Sequence, residues 1–324
     1  MMMDPVTLDP VDRGLVHALQ IDGRAPLRTI ATVIGVSENT AARRYQRLRS
    51  AGVLRVVGTV NGARLGYTAW TLRLQCTPDA ASAVAAALAD RQDTSWVYLL
   101  SGGTEISCNT QARSVGERDT LLLSKLPRTR RVASVTAHSI LRATALPSSW
   151  QGLHWLSEDQ VAQLMPEPHA QDDTPITLDP GDTVLLEALS RDGRTGYAEL
   201  ATLTGWSDST VKRRMDHLRR GGVLSYMLDI PPSALGFGAE ARLWMRVKPS
   251  ELVATAEELA RHPEVSFAAV TTGPTNLIAA VNCRDNADLY RYLTERVSAL
   301  DAVRDMETAP VIRTVKRAGA VLPV

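Results

Sequence analysis

The chain of 324 residues is 44% hydrophobic and carries 36 Lys and Arg against 35 Asp and Glu, a net charge of +1. That composition fits a globular, soluble chain and excludes one that is basic throughout, while the length exceeds one ordinary core and predicts two to four domains. Cys76, Cys108 and Cys283 sit singly in apolar runs without a CxxC, which argues against a metal or catalytic role and fits buried thiols in a reducing cytosol.

The start, MMMDPVTLDP, has no basic segment followed by an apolar core, so it is not read as a signal peptide. The longest run of small apolar residues, Ala80 to Ala89, falls far short of a membrane span. A cytoplasmic protein without membrane contact is expected. Asp9-Pro10 opens a first helix, the Asp as N-cap and the Pro at the first helical position. Leu15, Ala18 and Leu19 form its inner face, and Asp22-Gly23 ends it. A second helix spans Leu27 to Ile34. Ala31 and Gly35 are small where two helices cross closely, and Ser37 caps the helix that follows.

That third helix carries the functional signal. Thr40, Arg43, Arg44 and Arg47 recur at i, i+3, i+4 and i+7, while Ala41, Tyr45 and Leu48 recur on the opposite side. One face packs and the other is free, the pattern of a helix-turn-helix whose last helix enters DNA. The run from Val53 to Val57, followed by Thr59-Val60, reads as a two-stranded wing turning near Gly58, with Arg55 as its phosphate contact. From Ala69 the period changes from helix to strand. The order is strand Ala69–Thr77, helix Pro78–Arg91, strand Ser95–Ser101, strand Glu105–Gln111, helix Val115–Leu126, strand Arg131–Arg142. This is β-α-β-β-α-β, with helices on one face of an antiparallel sheet. A sheet covered on one face must bury the other, so the open faces are predicted to pair.

Residues 146–175 form a linker in which Ser157-Glu158-Asp159-Gln160 marks a capped helical turn, and Trp150 and Trp155 are read as packing anchors. Then the whole pattern returns. LTGWSDSTVKRRMDHLRRGGV, from Leu203 to Val223, repeats VIGVSENTAARRYQRLRSAGV, from Val33 to Val53, without a gap. TLDP and Asp-Gly-Arg recur at the same offset upstream. The second sheet domain follows with one residue inserted, as strand Ala239–Val247, helix Ser250–Arg261, strand Val265–Thr271, strand Asn276–Asn282, helix Ala287–Ala299 and strand Val303–Arg313. A chance basic helix would not repeat its own caps, turn and flanks. The domains are therefore 1–66 and 176–236, each a winged helix-turn-helix, and 67–145 and 237–324, each ferredoxin-like, with 146–175 between the copies.

With LDPVDRGLVHALQIDGR and LDPGDTVLLEALSRDGR, the two SxxTxxRRxxxLRxxGVL segments and the loops SGGTE at Ser101 and TGPTN at Thr272, the chain resembles the Lrp/AsnC family of bacterial and archaeal regulators. The resemblance covers most of the chain twice. It implies an α+β fold and a non-enzymatic transcriptional regulator of double-stranded DNA, without cofactor or metal. It further implies homo-oligomers formed through the sheets and an amino-acid effector near the glycine loop, carried over to Gly102, Gly103, Thr104 and Glu105 and to Gly273, Thr275 and Asn276. The usual loop has an aromatic residue followed by an acid. Here Thr104 and Thr275 replace the aromatic and Asn276 replaces the second acid. The alternative is that these glycines only permit a tight hairpin.

The expected DNA contacts are Ser37, Asn39, Thr40, Arg43, Arg44, Arg47 and Arg55 in the first copy. In the second they are Ser207, Ser209, Thr210, Lys212, Arg213, Arg214 and His217. The arginines and the lysine divide between phosphate neutralisation and base-edge contact, and two nonidentical helices would read an imperfect palindrome. A second family, the siroheme decarboxylases, resembles the same two-domain unit and would make the protein an enzyme. Those sequences carry a His and a Tyr at strand two. The corresponding stretches here, TSWVY from Thr94 to Tyr98 and VSFA from Val265 to Ala268, contain no His.

Overall fold

The computed structural model describes residues 8–125, 131–166, 176–318 and 320–321. Thr7 of the first TLDP, the expected helix end at Leu126 and the linker stretch 167–175 lie outside the described residues. In chain order the regular elements are α1 (Pro10–Ile21), α2 (Leu27–Ile34), α3 (Glu38–Ser50), β1 (Arg55–Val60), β2 (Thr68–Cys76), α4 (Ala81–Ala89), β3 (Thr94–Leu100), β4 (Glu105–Ala112), α5 (Val115–Asp119), β5 (Val132–Ala145) and α6 (Glu158–Leu164). The second copy gives α7 (Pro180–Arg191), α8 (Tyr197–Thr204), α9 (Asp208–Arg220), β6 (Leu224–Asp229), β7 (Ala239–Val247), α10 (Leu252–Leu259), β8 (Val265–Thr271), β9 (Leu277–Cys283), α11 (Asn286–Arg291), β10 (Val303–Arg317) and the two-residue β11 (Ala320–Val321). The chain divides into two compact units, residues 1–65 with 153–236 and residues 66–152 with 237–324. No described helix is long and apolar enough to cross a membrane.

The first unit holds both helix-turn-helix segments. Each opens with a capping box between Asp9 and Asp12, or Asp179 and Asp182, so orphan amides at the helix start find carboxylates. Leu15, Ala18 and Leu19 are fully buried, as are Leu185, Leu189 and Leu200 in the second copy. Gly35 differs from expectation. A Cβ there would meet nothing within 4 Å, but its φ of +72° ends α2 in the left-handed conformation, so glycine serves the backbone and not a close helix crossing. α6 starts with the expected capping box at Ser157, and Gln160 Nε2 donates to the Val33 carbonyl at 2.7 Å, seating the helix on α2.

The expected wing hairpin is not formed. β1 runs straight through Gly58 and pairs antiparallel with β6 of the other copy, from Arg55 opposite Asp229 to Val60 opposite Leu224. Gly58 cannot be a turn, because its Cα side lies against Leu189, where a Cβ would come within 2.9 Å of the side chain. Val57 and Met227, repeat counterparts, face each other, so the ladder has a local twofold at its centre. A lone strand leaves one row of amides unpaired, and the duplicate strand satisfies it.

In the second unit the two βαββαβ segments form one sheet. β10 pairs β7 through residues 303–310 and β3 through 311–316; β5 pairs β2 through 132–139 and β8 through 140–145. The order β10-β3-β4-β2-β5-β8-β9-β7 therefore closes on itself. At the crossover the strand residue has no ladder partner for its amide. Ser139 N–H donates to Thr272 Oγ1 at 3.0 Å, and its counterpart Pro310 has no N–H to satisfy. Outer faces pack under the helices around Leu72, Leu74 and Ile106 in one copy and Leu243, Met245 and Leu277 in the other. The inner faces meet as predicted, with Tyr98 and Leu100 of the first copy against Trp244, Ala269, Ile278 and Ala309 of the second. The sheet pairing, which the sequence left open as within or between chains, is made here between the two copies of one chain. The helices expected to run to Leu126 and Ala299 are α-helical only to Asp119 and Arg291, then widen into π turns over Thr120–Lys125 and Tyr292–Val297. Trp150 acts as an anchor, its Nε1 donating to the Pro263 carbonyl at 2.7 Å and its ring tilted on Phe237. All three cysteines are free and buried, and burial pushes the Cys108 and Cys283 thiols up to about 12.

Candidate nucleic-acid interface

The reading helices begin with hydroxyl clusters. Ser37 Oγ accepts from the Thr40 amide at 3.1 Å and meets Thr40 Oγ1 at 2.9 Å. Ser207 Oγ accepts from the Thr210 amide at 3.2 Å and meets both Ser209 Oγ and Thr210 Oγ1 at 3.0 Å. These five hydroxyls form the helix caps and lie at the surface of their unit, with Asn39 exposed beside them. Ala41, Tyr45 and Leu48 are buried, as are Val211, Met215 and Leu218, so the packed faces are the ones the spacing implied.

The cations divide into two classes. Arg43, Lys212 and Arg213 are exposed and form no ion pair among the described residues; His217 is exposed as well. The second arginine of each pair is engaged within the protein. Arg44 binds Asp9 and Asp12, Arg47 Nη2 reaches Asp12 at 2.5 Å, and Arg214 Nε binds Asp182 at 2.9 Å while Nη2 contacts the same carboxylate. Asp12 and Asp182 are both 0% exposed. Each is the N3 residue of a capping box, so one carboxylate serves the start of the first helix and fastens the reading helix to it. An i, i+4 face places a guanidinium beside any acid on the neighbouring helix, and the buried charge takes it because an unpaired carboxylate there would be costly. Asp9 is held below the usual carboxylate range, chiefly by the Asp12 amide and then by Arg44. Arg44 and Arg214 are thus helix clamps, and Arg47 is half-exposed and shared.

Arg55 is likewise engaged within the protein. Its Nε and Nη2 bind Asp229 at 2.9 and 2.7 Å, and the Asp229 side chain is 2% exposed. Two residues that join the copies were read only as helix-end sequence. Arg24 Nη1 donates to the carbonyls of Gly193 and Thr195 at 2.6 and 3.1 Å; Arg194 Nη1 donates to those of Gly23 and Ala25 at 2.7 and 3.1 Å. Each guanidinium also lies over aromatic rings, Arg24 on Tyr197 and Tyr226 and Arg194 on Tyr45. The repeated Asp-Gly-Arg was the available signal: a cation retained at one offset after a helix end, where only Asp and Gly are needed to stop the helix.

The glycine loops of the second unit are hairpin turns. Gly103 has φ +78° and Gly273 φ +101°. Glu105 is 3% exposed and bound to Arg73, which also grips Glu307, its Nη1 donating at 2.7 Å, and lies 4.2 Å over Trp244. The Arg73 contact is the first of the causes that hold the Glu307 carboxyl below its usual range. Asn276, the counterpart of Glu105, accepts from the Val247 amide at 2.8 Å and donates to its carbonyl at 3.0 Å. Its side chain completes a backbone pairing through both Oδ1 and Nδ2, which leaves one Nδ2–H uncommitted. A Cβ on Gly273 would collide with the His138 ring, whereas one on Gly102 would meet nothing within 4 Å. The Thr104 and Thr275 carbonyls accept from the Cys76 amide at 2.8 Å and the Thr271 hydroxyl at 3.1 Å.

The AsnC-type helix-turn-helix domain matches residues 8–49 and again 178–219, and the Lrp/AsnC ligand binding domain matches residues 240–321. Together these segments span just over half of the chain. The chain belongs to the Lrp/AsnC family. Among family relatives, an uncharacterized HTH-type transcriptional regulator of Pyrococcus abyssi is 31% identical over 145 residues, 44% of this chain and 91% of the relative. The HTH-type transcriptional regulator LrpA of Pyrococcus horikoshii is 27% identical over 140 residues, 43% of this chain and 99% of the relative. One relative thus corresponds to one copy, and this chain is a tandem Lrp/AsnC protein. Among solved structures, the siroheme decarboxylase NirDL covers 95% of this chain and 93% of its own with a TM-score of 0.63 at 15% identity, a likeness of fold.

Proposed function

We propose that this tandem Lrp/AsnC protein is a DNA-binding transcriptional regulator of the cytoplasm in which one chain supplies both half-site readers. The observation that carries this is the fastening of α3 and α9 into one unit by the β1–β6 ladder and the reciprocal Arg24 and Arg194 clasps, with Arg43 on one helix and Lys212 and Arg213 on the other exposed. Clamping Arg44 and Arg214 to buried acids fixes the helix orientation, which leaves the free cations to meet phosphates and base edges. Ser37, Asn39, Thr40, Ser207, Ser209 and Thr210 stand at the helix starts, where short polar groups reach phosphate. His217 and the half-exposed Arg47 flank the same faces.

The relatives' names as regulators support this reading. The sheet unit carries the response to an amino acid or related metabolite. The first-copy loop, where a Cβ on Gly102 would meet nothing within 4 Å, is the more open of the two glycine loops. The full-length fold likeness to a siroheme decarboxylase supports an enzyme as the second reading. It ranks below because β3 and β8 offer no His in TSWVY or VSFA for proton transfer.

The test is salt-dependent binding of the full chain to its own promoter region. Arg43→Ala with Lys212→Ala and Arg213→Ala is expected to flatten the slope of log affinity against log salt by about 0.9 for each phosphate contact removed. An unchanged slope and affinity would reject the assignment of these helices as DNA readers.

A further inference from the structure

The inner face of the closed sheet holds one cation that neither the glycine loops nor the packing accounts for. Alternation along β7 sends Ala241, Leu243 and Met245 to the helix-side core and Arg242 and Trp244 to the inter-sheet side. Arg242 is 3% exposed, its Nε has no hydrogen-bond partner, and no described carboxylate pairs with it. Its guanidinium lies 5.3 Å over the Tyr98 ring and 5.6 Å over the Phe267 ring. Burial works against its charge, and an arginine nonetheless stays charged. Neighbouring cations in the unit are provided for. Lys316, also 3% exposed, donates to the Arg91 carbonyl at 2.6 Å, and Arg73 has two carboxylates.

Two further features mark the same side of the sheets. Trp96, the repeat counterpart of Phe267, holds φ +55° at a β-bulge, a conformation unfavourable for a bulky residue, and stacks on Tyr98 with an interplanar angle of 17°. Asn109 Oδ1, on the inner side of β4, is buried without a donor. A buried unpaired guanidinium, an unmet acceptor and a strained aromatic are retained where an apolar core would be simpler.

We propose that Arg242 anchors a carboxylate-binding site between the two sheets. The guanidinium grips the carboxylate of a small organic acid with two parallel hydrogen bonds, and Tyr98, Phe267 and Trp96 take its apolar or aromatic body. A single guanidinium balances one negative charge, and the surrounding rings disfavour a hydrated dianion. This rests on the reading of the sheet unit as a ligand-responsive module and places the ligand in the inter-sheet core, apart from the glycine loops.

The experiment compares the full chain with Arg242→Met, Arg242→Lys and Gly102→Val, using L-phenylalanine, phenylpyruvate and benzoate as probes and benzamide as the neutral control. Melting temperature and tryptophan emission are read together. At least one acid raises the melting temperature of the parent protein and alters its emission, and benzamide does neither. Arg242→Met abolishes the response without lowering the melting temperature of the free protein, because an apolar chain of similar length replaces an unpaired buried charge. Arg242→Lys, which keeps the charge and loses the planar fork, weakens the response at least tenfold. Failure of all three acids on the parent protein, or a lower melting temperature for free Arg242→Met, overturns the proposal. A response lost in Gly102→Val and kept in Arg242→Met also overturns it, while leaving an effector at the glycine loop intact.

Discussion

The two ends of the β1–β6 ladder are related by the repeat and chemically different. At one end Arg55 binds Asp229; at the other their counterparts Ser225 and Thr59 share a hydrogen bond of 2.7 Å. The glycine loops differ in the same way, since Glu105 binds Arg73 where Asn276 binds the Val247 backbone. Two identical chains related by a twofold must place the same contact at both ends of their interface. Within one chain, each end changes separately, so a charged pair can be confined to one end and the register of the copies becomes polar. The Arg24 and Arg194 clasps are the opposite case, retained on both sides because each grips backbone carbonyls that side-chain changes do not remove.

The largest expected asymmetry comes from His17, which has an exposed Glu187 as its counterpart. His17 Nδ1 accepts from the amides of Trp155 and Leu156 at 3.2 and 3.0 Å, and burial brings its pKa down to about 4. The ring is neutral when folded and titrates near 6.5 when unfolded, so the unfolded chain binds more protons between those values. Stability is full above the unfolded value and falls as pH drops toward 4, by up to about 3 kcal/mol at the bottom of the window. Denaturant unfolding from pH 7 to 4.5 should show this loss, and His17→Gln should remove most of it. An unchanged pH dependence in the variant would show that the linker contact does not select the neutral ring.

Next in size is the ladder itself. Arg55→Ala takes two charge-assisted hydrogen bonds from the buried Asp229 and should cost about 1.5–3 kcal/mol, whereas Ser225→Ala, at the related position, should cost about 0.5 kcal/mol or less. Equal losses would erase the claim of a polar ladder. The smallest contrast lies in the loops. Gly273→Ala combines a left-handed backbone with a collision on His138 and should cost about 1–2 kcal/mol, while Gly102→Ala, in open space, should stay within about 0.5 kcal/mol. Similar melting temperatures for the two variants would show that His138 yields readily.

Local rules carried the helices. Asp9-Pro10, Ser37 and Ser157 were legible because a cap needs only residues two or three places along, and the buried stripe Ala41, Tyr45 and Leu48 follows from helical period alone. The β-α-β-β-α-β order and the pairing of open sheet faces followed from alternation and from the need to bury a second face. The candidate DNA surface was legible only as a set of cations. Period placed Arg43 and Arg44 side by side, and nothing in that spacing distinguishes a free guanidinium from one held by Asp12 on another helix.

What the sequence by itself determined is therefore each copy's elements, their order and their duplication, since these depend on neighbours along the chain. The tertiary structure alone decided that the wing is a shared strand, that Arg55, Arg44 and Arg214 serve buried acids, and that Arg242 lies inside the closed sheet over two aromatic rings with no carboxylate partner among the described residues. Each of those outcomes turns on which donor or acceptor arrives from about 170 residues away or from an adjoining helix. A buried charge or an unpaired strand edge is satisfied by whatever the fold brings to it, and linear spacing does not record that choice.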